Sequence, residues 1–270
     1  KEKKVMNRAT DSLTEAVWQQ FEQDGFLRLG QVATDGQLLE LQTRMDDIMM
    51  GRADVDYDRM MMQLDRVDGP NSSPGPQSKG FKGATLSYRK IQDLEYDDAF
   101  LAYIQHPLFR QLCTRVYGEQ ADIACLRAMF MNKPAGEGTH LVWHQDRWTH
   151  LDRDPLITVW TALDTATLDN GCVQIVPGSH AALVNPEHGS GFLTGDQTER
   201  LLQDNEPVPL ELAAGEVVLL HNWLLHSSDV NRTAGARRAF SVCYMDADTL
   251  DHNGHAYPVV FGEGALVVGT

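Results

Sequence analysis

The sequence predicts a mainly β protein, an antiparallel β-sandwich or jelly roll, with helices supplied by its first half. Apolar residues recur at helical spacing in the first half, whereas the second half contains short segments rich in Val, Ile, Thr and aromatic residues. Turn motifs separate these segments, namely DNG (169–171), PGS (177–179) and AAGE (213–216). A length of 270 residues is within the range of one such domain.

The first helix is predicted over residues 12–25. Ser12 and Glu15 stand at the spacing of a capping box, and Gly25 suits the C-terminal cap because glycine tolerates the left-handed conformation found there. The segment FLRLG that follows, residues 26–30, has the composition of a short strand. These residues are therefore expected to form a helix–strand unit.

Two further helical regions are predicted in the first half. Leu, Ile and Met residues recur at helical spacing over about 35–50, and Gly51 is expected to end that helix. A helical pattern also covers 97–118. The step from His106 to Pro107 should interrupt it, because a residue before proline disfavours the helical conformation.

The second half carries most of the predicted strands. They are expected near residues 124–132, 155–163, 171–176, 207–212, 216–221 and 238–246. Two long segments rich in Gly and polar residues interrupt the pattern, at about 66–85 and 184–200. Long loops in a compact domain often cover a functional site, so both segments are predicted to be mobile lids.

Composition restricts the partners and the location that we expect. The formal net charge of −15 disfavours non-specific binding to nucleic acid or to an anionic membrane. The sequence contains no apolar run of membrane-spanning length and no signal-peptide pattern near residue 1. Its four cysteines lie far apart without a C-x-x-C motif, which favours reduced, buried thiols. We therefore expect a cytoplasmic protein without nucleic-acid or membrane partners, and its oligomeric state is not predicted.

The motif WHQDRW is the strongest chemical feature of the sequence. His144 and Asp146 point to the same side if the segment is extended, and both side chains are metal ligands. A third ligand must come from elsewhere, and His221 and His226 are the candidates. Two histidines and one carboxylate on one face of a metal leave the opposite face open, as in non-haem Fe(II) oxygenases. Arg237, eleven residues after His226, suits a carboxylate partner near such a metal.

A series of motifs resembles the phytanoyl-CoA dioxygenase family of Fe(II)/2-oxoglutarate-dependent oxygenases. The matching segments, in the order of the family, are QQFEQDGFLRL (19–29), KIQDL (90–94), MFMNKP (129–134), WHQD (143–146), VWTALD (159–164), NGCVQIVPGSH (170–180) and GEVVLLHNWLLHSSDVNRTAGARRA (215–239). The resemblance implies a double-stranded β-helix, the cupin-like jelly roll, with flanking helices. It also implies one oxygenase domain over 1–270, with N-terminal helices at about 12–118 and the jelly-roll core at about 120–247.

The same resemblance implies roles for individual residues. His144, Asp146 and His226 would ligate Fe(II), and Arg237 would bind the distal carboxylate of 2-oxoglutarate. Four further residues fall where the family contacts this cosubstrate: Lys90, Met129, Trp160 and Ser228. With O2 as the second cosubstrate, the implied reaction hydroxylates an unactivated carbon of a small molecule and releases succinate and CO2. The carboxylate at Asp146 favours hydroxylation, or a variant such as desaturation, because related halogenases place a halide there.

Other interpretations of the histidines lead to other functions. His221, inside a predicted strand, and His180, in the motif PGSH, are expected to be structural. His140 precedes His144 by four residues, which is the spacing of a zinc pair on a helix, so a zinc hydrolase is one alternative. A non-catalytic jelly-roll protein that binds a metal or small molecule is another. Retention of Arg237 beside the three ligands favours the oxygenase.

The substrate class is predicted from charge. A fatty acyl-CoA carries several negative charges, and the field of a chain with net charge −15 opposes its approach unless a local basic patch overrides that field. The candidate patch consists of Lys79, Lys82, Arg89 and Lys90, joined by Arg147 and Arg153. We therefore expect a small polar or amphipathic metabolite, not an acyl-CoA, with the patch available to hold one carboxylate or phosphonate.

Overall fold

The computed structural model describes residues 13–66, 73–187 and 191–269. The α-helices within these residues are α1 (Glu15–Asp24), α2 (Asp35–Met49), α3 (Asp98–Ile104), α4 (Pro107–Tyr117) and α5 (Gly195–Asp204). The strands are β1 (Phe26–Gln31), β2 (Met61–Leu64), β3 (Ser78–Lys79), β4 (Tyr88–Ile91), β5 (Ile123–Lys133), β6 (Leu141–His144), β7 (Ile157–Ala162), β8 (Val173–Ile175), β9 (Val208–Pro209), β10 (Glu216–His221), β11 (His226–Ser228), β12 (Arg237–Asp246) and β13 (Val259–Phe261).

The strands form two antiparallel sheets. The larger sheet has the order β1-β10-β7-β12-β5-β4-β2-β3, and β13 also pairs with β5. The smaller sheet has the order β6-β11-β8-β9. Residues of both sheets line one cavity between them, so the architecture is a double-stranded β-helix. The predicted fold class, mainly β with flanking helices, is confirmed.

The α1 helix is defined by its two caps. Thr14 accepts a hydrogen bond from the backbone N–H of Val17, and Gly25, at φ 77°, ends the helix in the left-handed conformation. The predicted cap at Ser12 lies outside the described residues, and Thr14 takes that role. A Cβ atom on Gly25 would lie 2.4 Å from Nδ1 of His180, so both the backbone angle and the neighbouring ring require glycine.

The other N-terminal helices begin where their capping residues place them. Thr34 and Gln37 form a reciprocal capping box at the start of α2, the helix predicted over about 35–50. The second predicted helical region is two helices, because Pro107 begins α4 and His106 caps it with its side chain. The predicted interruption is therefore confirmed.

The main hydrophobic core lies between the larger sheet and the helices. Every residue of the central strand β7 is buried, because helices cover one face of the strand and the smaller sheet covers the other. Ile157 and Val159 pack toward the helices, and Trp160 packs in the inner cluster between the sheets. On the neighbouring strand β12, Phe240 contacts Phe100 of α3 with 4.8 Å between ring centroids.

Several predicted boundaries need correction. The segments predicted as strands near 171–176 and 207–212 contain only the short strands β8 and β9. The antiparallel pair of β2 and β4 lies inside the region predicted to contain the N-terminal helices, and it extends the larger sheet beyond β5. The strand β13 lies beyond the predicted end of the jelly-roll core at about 247 and pairs with β5. A strand of three residues shows too little alternation to be found from sequence.

The two predicted lids fall partly outside the described residues, at 67–72 and 188–190. The described part of the first segment contains β3, which pairs with β2. The second segment was predicted to be a loop as far as about residue 200. This prediction is wrong from Gly195 onward, where α5 begins. A capping box of Thr194 and Gln197 starts this helix.

Two predictions from composition can be compared with the structure. Within the described ranges, no helix has both the length and the apolar character needed to cross a membrane. The four cysteines are free and buried, as predicted.

Candidate metal centre

Three side chains meet on the inner wall of the smaller sheet. His144 ends β6 and His226 begins β11, and the two residues are direct partners across the antiparallel pair. Their ring centroids are 4.1 Å apart, and Oδ1 of Asp146 is 3.7 Å from Nε2 of His144. One ligand atom from each of the three residues lies within 4.8 Å of the others. Among the residues that the structure describes, no other group of His, Cys, Asp or Glu side chains has this geometry.

Backbone carbonyl groups orient both histidine rings. Nδ1 of His144 donates to the carbonyl oxygen of Val142 at 2.9 Å, and Nδ1 of His226 donates to that of Leu224 at 2.8 Å. A carbonyl can only accept a hydrogen bond, so Nδ1 carries a proton in both rings. This orientation leaves Nε2 of each ring as the atom that can bind a metal.

The charges of the three groups suit a cation. Burial, reinforced by the neighbouring His226, lowers the pKa of His144 to about 3, so this imidazole is neutral at physiological pH. Burial alone would raise the pKa of Asp146. His226, Arg127 and His144 outweigh that effect and hold the pKa below its ordinary value. The group therefore combines uncharged imidazole nitrogen with an ionised carboxylate.

The other candidate histidines lie outside this group. The ring of His221 faces that of His180 at 4.9 Å, and burial lowers the pKa of His221 to about 4. His140 is exposed, and its Nδ1 is 3.4 Å from Asp229. Over the described residues, no cluster of ligand atoms joins His140 to His144. The zinc-hydrolase alternative consequently has no ligand set in this part of the chain.

The metal group opens into a cavity of about 500 Å³ between the two sheets. All five residues predicted to contact 2-oxoglutarate line this cavity: Lys90, Met129, Trp160, Ser228 and Arg237. They come from four strands of the larger sheet and one of the smaller sheet. The tertiary structure therefore brings together every site residue that the sequence predicts.

Arg237 lines this cavity and is buried, with only 3% of its surface exposed. Its Nη2 donates to the carbonyl oxygen of Gly171 at 3.0 Å, whereas its Nε and the Nε1 of Trp160 are buried without a hydrogen-bond partner in the described part of the chain. A Cβ atom on Gly171 would lie 2.3 Å from the carbonyl oxygen of Asp229, so only glycine fits at this point of the turn. Unsatisfied donors of this kind fit an anionic ligand, because buried donors are normally paired.

Arg238 has a different role from its neighbour. Its Nε and Nη2 donate to the two carboxylate oxygens of Asp164 at 2.8 Å, and its Nη1 donates to Asp46 at 2.7 Å. Successive residues of a strand point to opposite faces, so Arg238 ties β12 to α2 on the outside while Arg237 points inward. Asp164 and Arg238 therefore form a bidentate ion pair.

Lys90 lies beside the metal group on the edge of the cavity. It is placed there by β4, where it pairs with Met131 of β5. Burial, and then the nearby Arg89 and Arg127, lower the pKa of Lys90 to about 8. The side chain is therefore a cation at neutral pH that deprotonates more readily than an exposed lysine.

The predicted basic patch is only partly correct. Lys90 and Arg147 line the cavity, but the other predicted members are not among the lining residues: Lys79, Lys82, Arg89 and Arg153. Lys82 donates to the backbone of Lys79 near the edge strand β3, and Arg153 is half exposed. Lys79 and Lys82 do not reach the cavity because β3 is the outermost strand of the sheet.

One lining residue, Arg127, is absent from the sequence-based predictions. Arg127, Met129 and Met131 all line the cavity, at every second position of β5. The family motif already placed Met129 at the site. Because side chains two positions apart in a strand share one face, this placement could have predicted Arg127 as a lining residue.

A jelly roll that carries two histidines and one aspartate beside a buried arginine has the fold and the site of the non-haem Fe(II)/2-oxoglutarate-dependent oxygenases. Residues 21–239 match the family model of phytanoyl-CoA dioxygenase (PhyH). The chain belongs to this family, and the resemblance found in the sequence is confirmed.

Individual relatives agree with this assignment. The chain is 28% identical over 179 residues to a probable phytanoyl-CoA dioxygenase of Caenorhabditis elegans, a match that covers 62% of this chain and 57% of that protein. It is 32% identical over 126 residues to the phytanoyl-CoA dioxygenase of Arabidopsis thaliana, covering 46% and 44%. The matches thus span about half the length of these two relatives.

A solved structure shows the same fold. EctD from S. alaskensis with bound Fe is similar with a TM-score of 0.68 and 18% identity, over 88% of this chain and 79% of that one. The same protein has also been crystallised with 2-oxoglutarate and 5-hydroxyectoine.

Proposed function

We propose that this protein is an Fe(II)/2-oxoglutarate-dependent dioxygenase that hydroxylates an unactivated carbon of a small molecule. The observation that carries the proposal is the convergence of His144, Asp146 and His226 in a cavity that the buried Arg237 also lines. When bound, Fe(II) with 2-oxoglutarate and O2 supplies the oxidation, and the cosubstrate leaves as succinate and CO2.

The three ligands have the chemistry that Fe(II) requires. The Nε2 atoms of His144 and His226 and the carboxylate of Asp146 would hold the metal from one side. The carbonyl groups that accept from both Nδ1–H groups would keep the rings in place and increase their basicity. The protein therefore presents an oriented ligand set and does not need to reorganise its rings when the metal binds.

The remaining residues of the cavity would bind the cosubstrate. Arg237 would hold the distal carboxylate through its guanidinium, whose buried Nε has no hydrogen-bond partner among the described residues. Ser228 and Lys90 would donate hydrogen bonds to carboxylate oxygens, and Met129 and Trp160 would form the walls. Burial between two sheets keeps this end of the cavity away from bulk water, which strengthens each of these interactions.

The size of the cavity and the charge of the protein support a small substrate. A cavity of about 500 Å³ that also has to contain 2-oxoglutarate leaves room for a small metabolite. The net charge of −15 opposes the approach of a polyanion such as an acyl-CoA. A cytoplasmic location is part of the same proposal and is supported by the sequence pattern alone.

The decisive experiment is anaerobic reconstitution with Fe(II) and 2-oxoglutarate. The chelated complex of these ligands has a visible charge-transfer band, which should appear with the wild-type protein and be lost in His226→Ala. His140→Ala is the matched control, because His140 is exposed and lies outside the metal group, and it should retain the band. Absence of the band in the wild-type protein, or its loss in His140→Ala, would contradict the proposed site.

Metal analysis and a substrate screen complete this test. Purified protein should bind about one equivalent of iron, and zinc with no response to 2-oxoglutarate would instead favour the hydrolase alternative. Succinate release in the presence of candidate small molecules should identify the substrate. Iron and cosubstrate binding without stimulated succinate release by any compound would favour the non-catalytic alternative.

A further inference from the structure

Arg127 is a cation that lines the cavity. Its Nε is buried and has no hydrogen-bond partner among the residues that the structure describes. Its closest carboxylate oxygen is Oδ2 of Asp146, at 3.8 Å from Nη2, which is beyond hydrogen-bond distance. The guanidinium carbon lies 5.4 Å from the ring centroid of Trp148, another lining residue. A part-buried guanidinium in this state fits an external acceptor.

The position of Arg127 separates it from the expected cosubstrate site. In the pairing of β12 with β5, Arg237 is opposite Lys133, whereas Arg127 is opposite Cys243. The six residues from Arg127 to Lys133 correspond to roughly 20 Å along the strand. In the function proposed above, Arg237 would hold one carboxylate of 2-oxoglutarate and the metal would bind the other end, so the cosubstrate would not need Arg127.

The charges that line the cavity also favour an anionic ligand in addition to 2-oxoglutarate. Among the residues that the structure describes, the charged residues that line it are Lys90, Arg127, Asp146, Arg147 and Arg237. Arg147 is 3.5 Å from the carboxylate of Asp154, so three of these cations remain against the carboxylate of Asp146. Fe(II) and doubly charged 2-oxoglutarate would cancel each other. The loaded cavity would therefore keep an excess of two positive charges, although the whole chain has a net charge of −15.

We propose that Arg127 is a specificity-determining residue that binds a carboxylate group of the substrate. The substrate of this enzyme is then a small-molecule acid, whose carboxylate pairs with the guanidinium while its carbon skeleton lies along Trp148. A second negative group near the metal is favourable because Arg127 and Lys90 outweigh the charge of Asp146. This inference rests on the proposed function, since it takes Fe(II) and 2-oxoglutarate to occupy the rest of the cavity.

The test uses matched acids and amides as probes. Hexanoate and phenylacetate, and their neutral counterparts hexanamide and phenylacetamide, are titrated into the anaerobic Fe(II)–2-oxoglutarate complex at constant ionic strength, and the shift of the visible band is recorded. The acids should bind more tightly than the amides to the wild-type protein. Arg127→Gln should weaken the acids by about 10- to 100-fold and leave both the amides and the affinity for 2-oxoglutarate unchanged.

Two further variants control for charge and for folding. Arg52→Gln removes the same charge from an exposed ion pair with Asp47 and should leave the binding of the acids unchanged. Arg127→Lys keeps the charge but loses the planar fork, so it should give an intermediate loss. It also provides the comparison if Arg127→Gln does not fold.

Each contrary result has a distinct meaning. Equal binding of acids and amides, or equal weakening of both by Arg127→Gln, overturns the assignment of Arg127. Loss of iron or of 2-oxoglutarate affinity in Arg127→Gln also overturns it, and makes Arg127 a positioning residue for Asp146. If the wild-type protein shows no band at all, the proposed function itself fails, and the inference fails with it.

Discussion

Replacing Arg237 by lysine should weaken 2-oxoglutarate binding while preserving the charge at that end of the cavity. The guanidinium uses one donor, Nη2, for the backbone oxygen of Gly171, and its Nε has no hydrogen-bond partner within the described ranges. The remaining N–H groups can therefore hold a carboxylate through two parallel hydrogen bonds. Lysine supplies a compact ammonium on a shorter side chain and cannot reproduce this fork.

The expected magnitude follows from the number of bonds that are lost. One charge-assisted hydrogen bond contributes about 1.5–3 kcal/mol to binding, which corresponds to roughly a 10- to 100-fold increase in the dissociation constant. Arg237→Lys should therefore raise the Kd for 2-oxoglutarate by this factor. Burial between the sheets keeps the interaction from being screened by solvent, so the loss should persist at high salt.

The assay is an anaerobic titration of the Fe(II)-loaded protein with 2-oxoglutarate, followed by the visible charge-transfer band. Arg238→Lys is the control, because Arg238 faces outward and pairs with Asp164 and Asp46. It should lower stability without changing the Kd. An unchanged Kd in Arg237→Lys together with a raised Kd in Arg238→Lys would show that Arg237 is not the residue that holds 2-oxoglutarate.

Three other changes test the site and the fold. Asp146→Ala should abolish succinate formation because it removes the anionic ligand, and turnover above background would contradict this. Phe240→Ala should lower the free energy of unfolding in urea by about 3–5 kcal/mol, since the ring is fully buried against Phe100. The exposed change Leu202→Ala should cost less than about 0.5 kcal/mol, and equal losses would argue against the core assignment. Burial raises the pKa of Glu95 from 4.5 to about 7, so the folded protein retains a proton that the unfolded chain releases in this range. The free energy of unfolding should therefore fall by ~3 kcal/mol as pH rises from about 4.5 to 7. Glu95→Gln should remove this loss, so the free energies of unfolding measured at pH 5 and at pH 8 should differ less in the variant than in the wild-type protein.

Elements with strong local signals were predictable. The helix α2 and the strand β10 match their predicted ranges closely, because helical spacing defines the first and turn motifs bound the second. The strand β12 is long and apolar and was also found. By contrast, β6 and β11 are too short to show a pattern, although they hold His144 and His226. Their pairing depends on contacts between residues more than 80 positions apart.

The site residues were likewise predictable where a sequence motif marks them, and not where the choice depends on tertiary contacts. Family motifs in the sequence predicted all eight site residues, but spacing by itself could not choose between His221 and His226. The structure places His226 beside His144 across β6 and β11, whereas His221 lies on the larger sheet and faces His180. The predicted roles of these residues remain predictions until binding is measured.

By itself, the sequence determined the fold class, the family and the residues that could hold a metal, because these depend on local periodicity and on motifs that survive as strings of letters. Only the tertiary structure decided which cations face the cavity. Lys79 and Lys82 lie near the outermost strand, and Arg127 points inward beside Asp146. Side-chain direction depends on which strands pair and in which register, and a shift of one residue reverses it. The distribution of charge around the metal group is therefore a property of the assembled sheets.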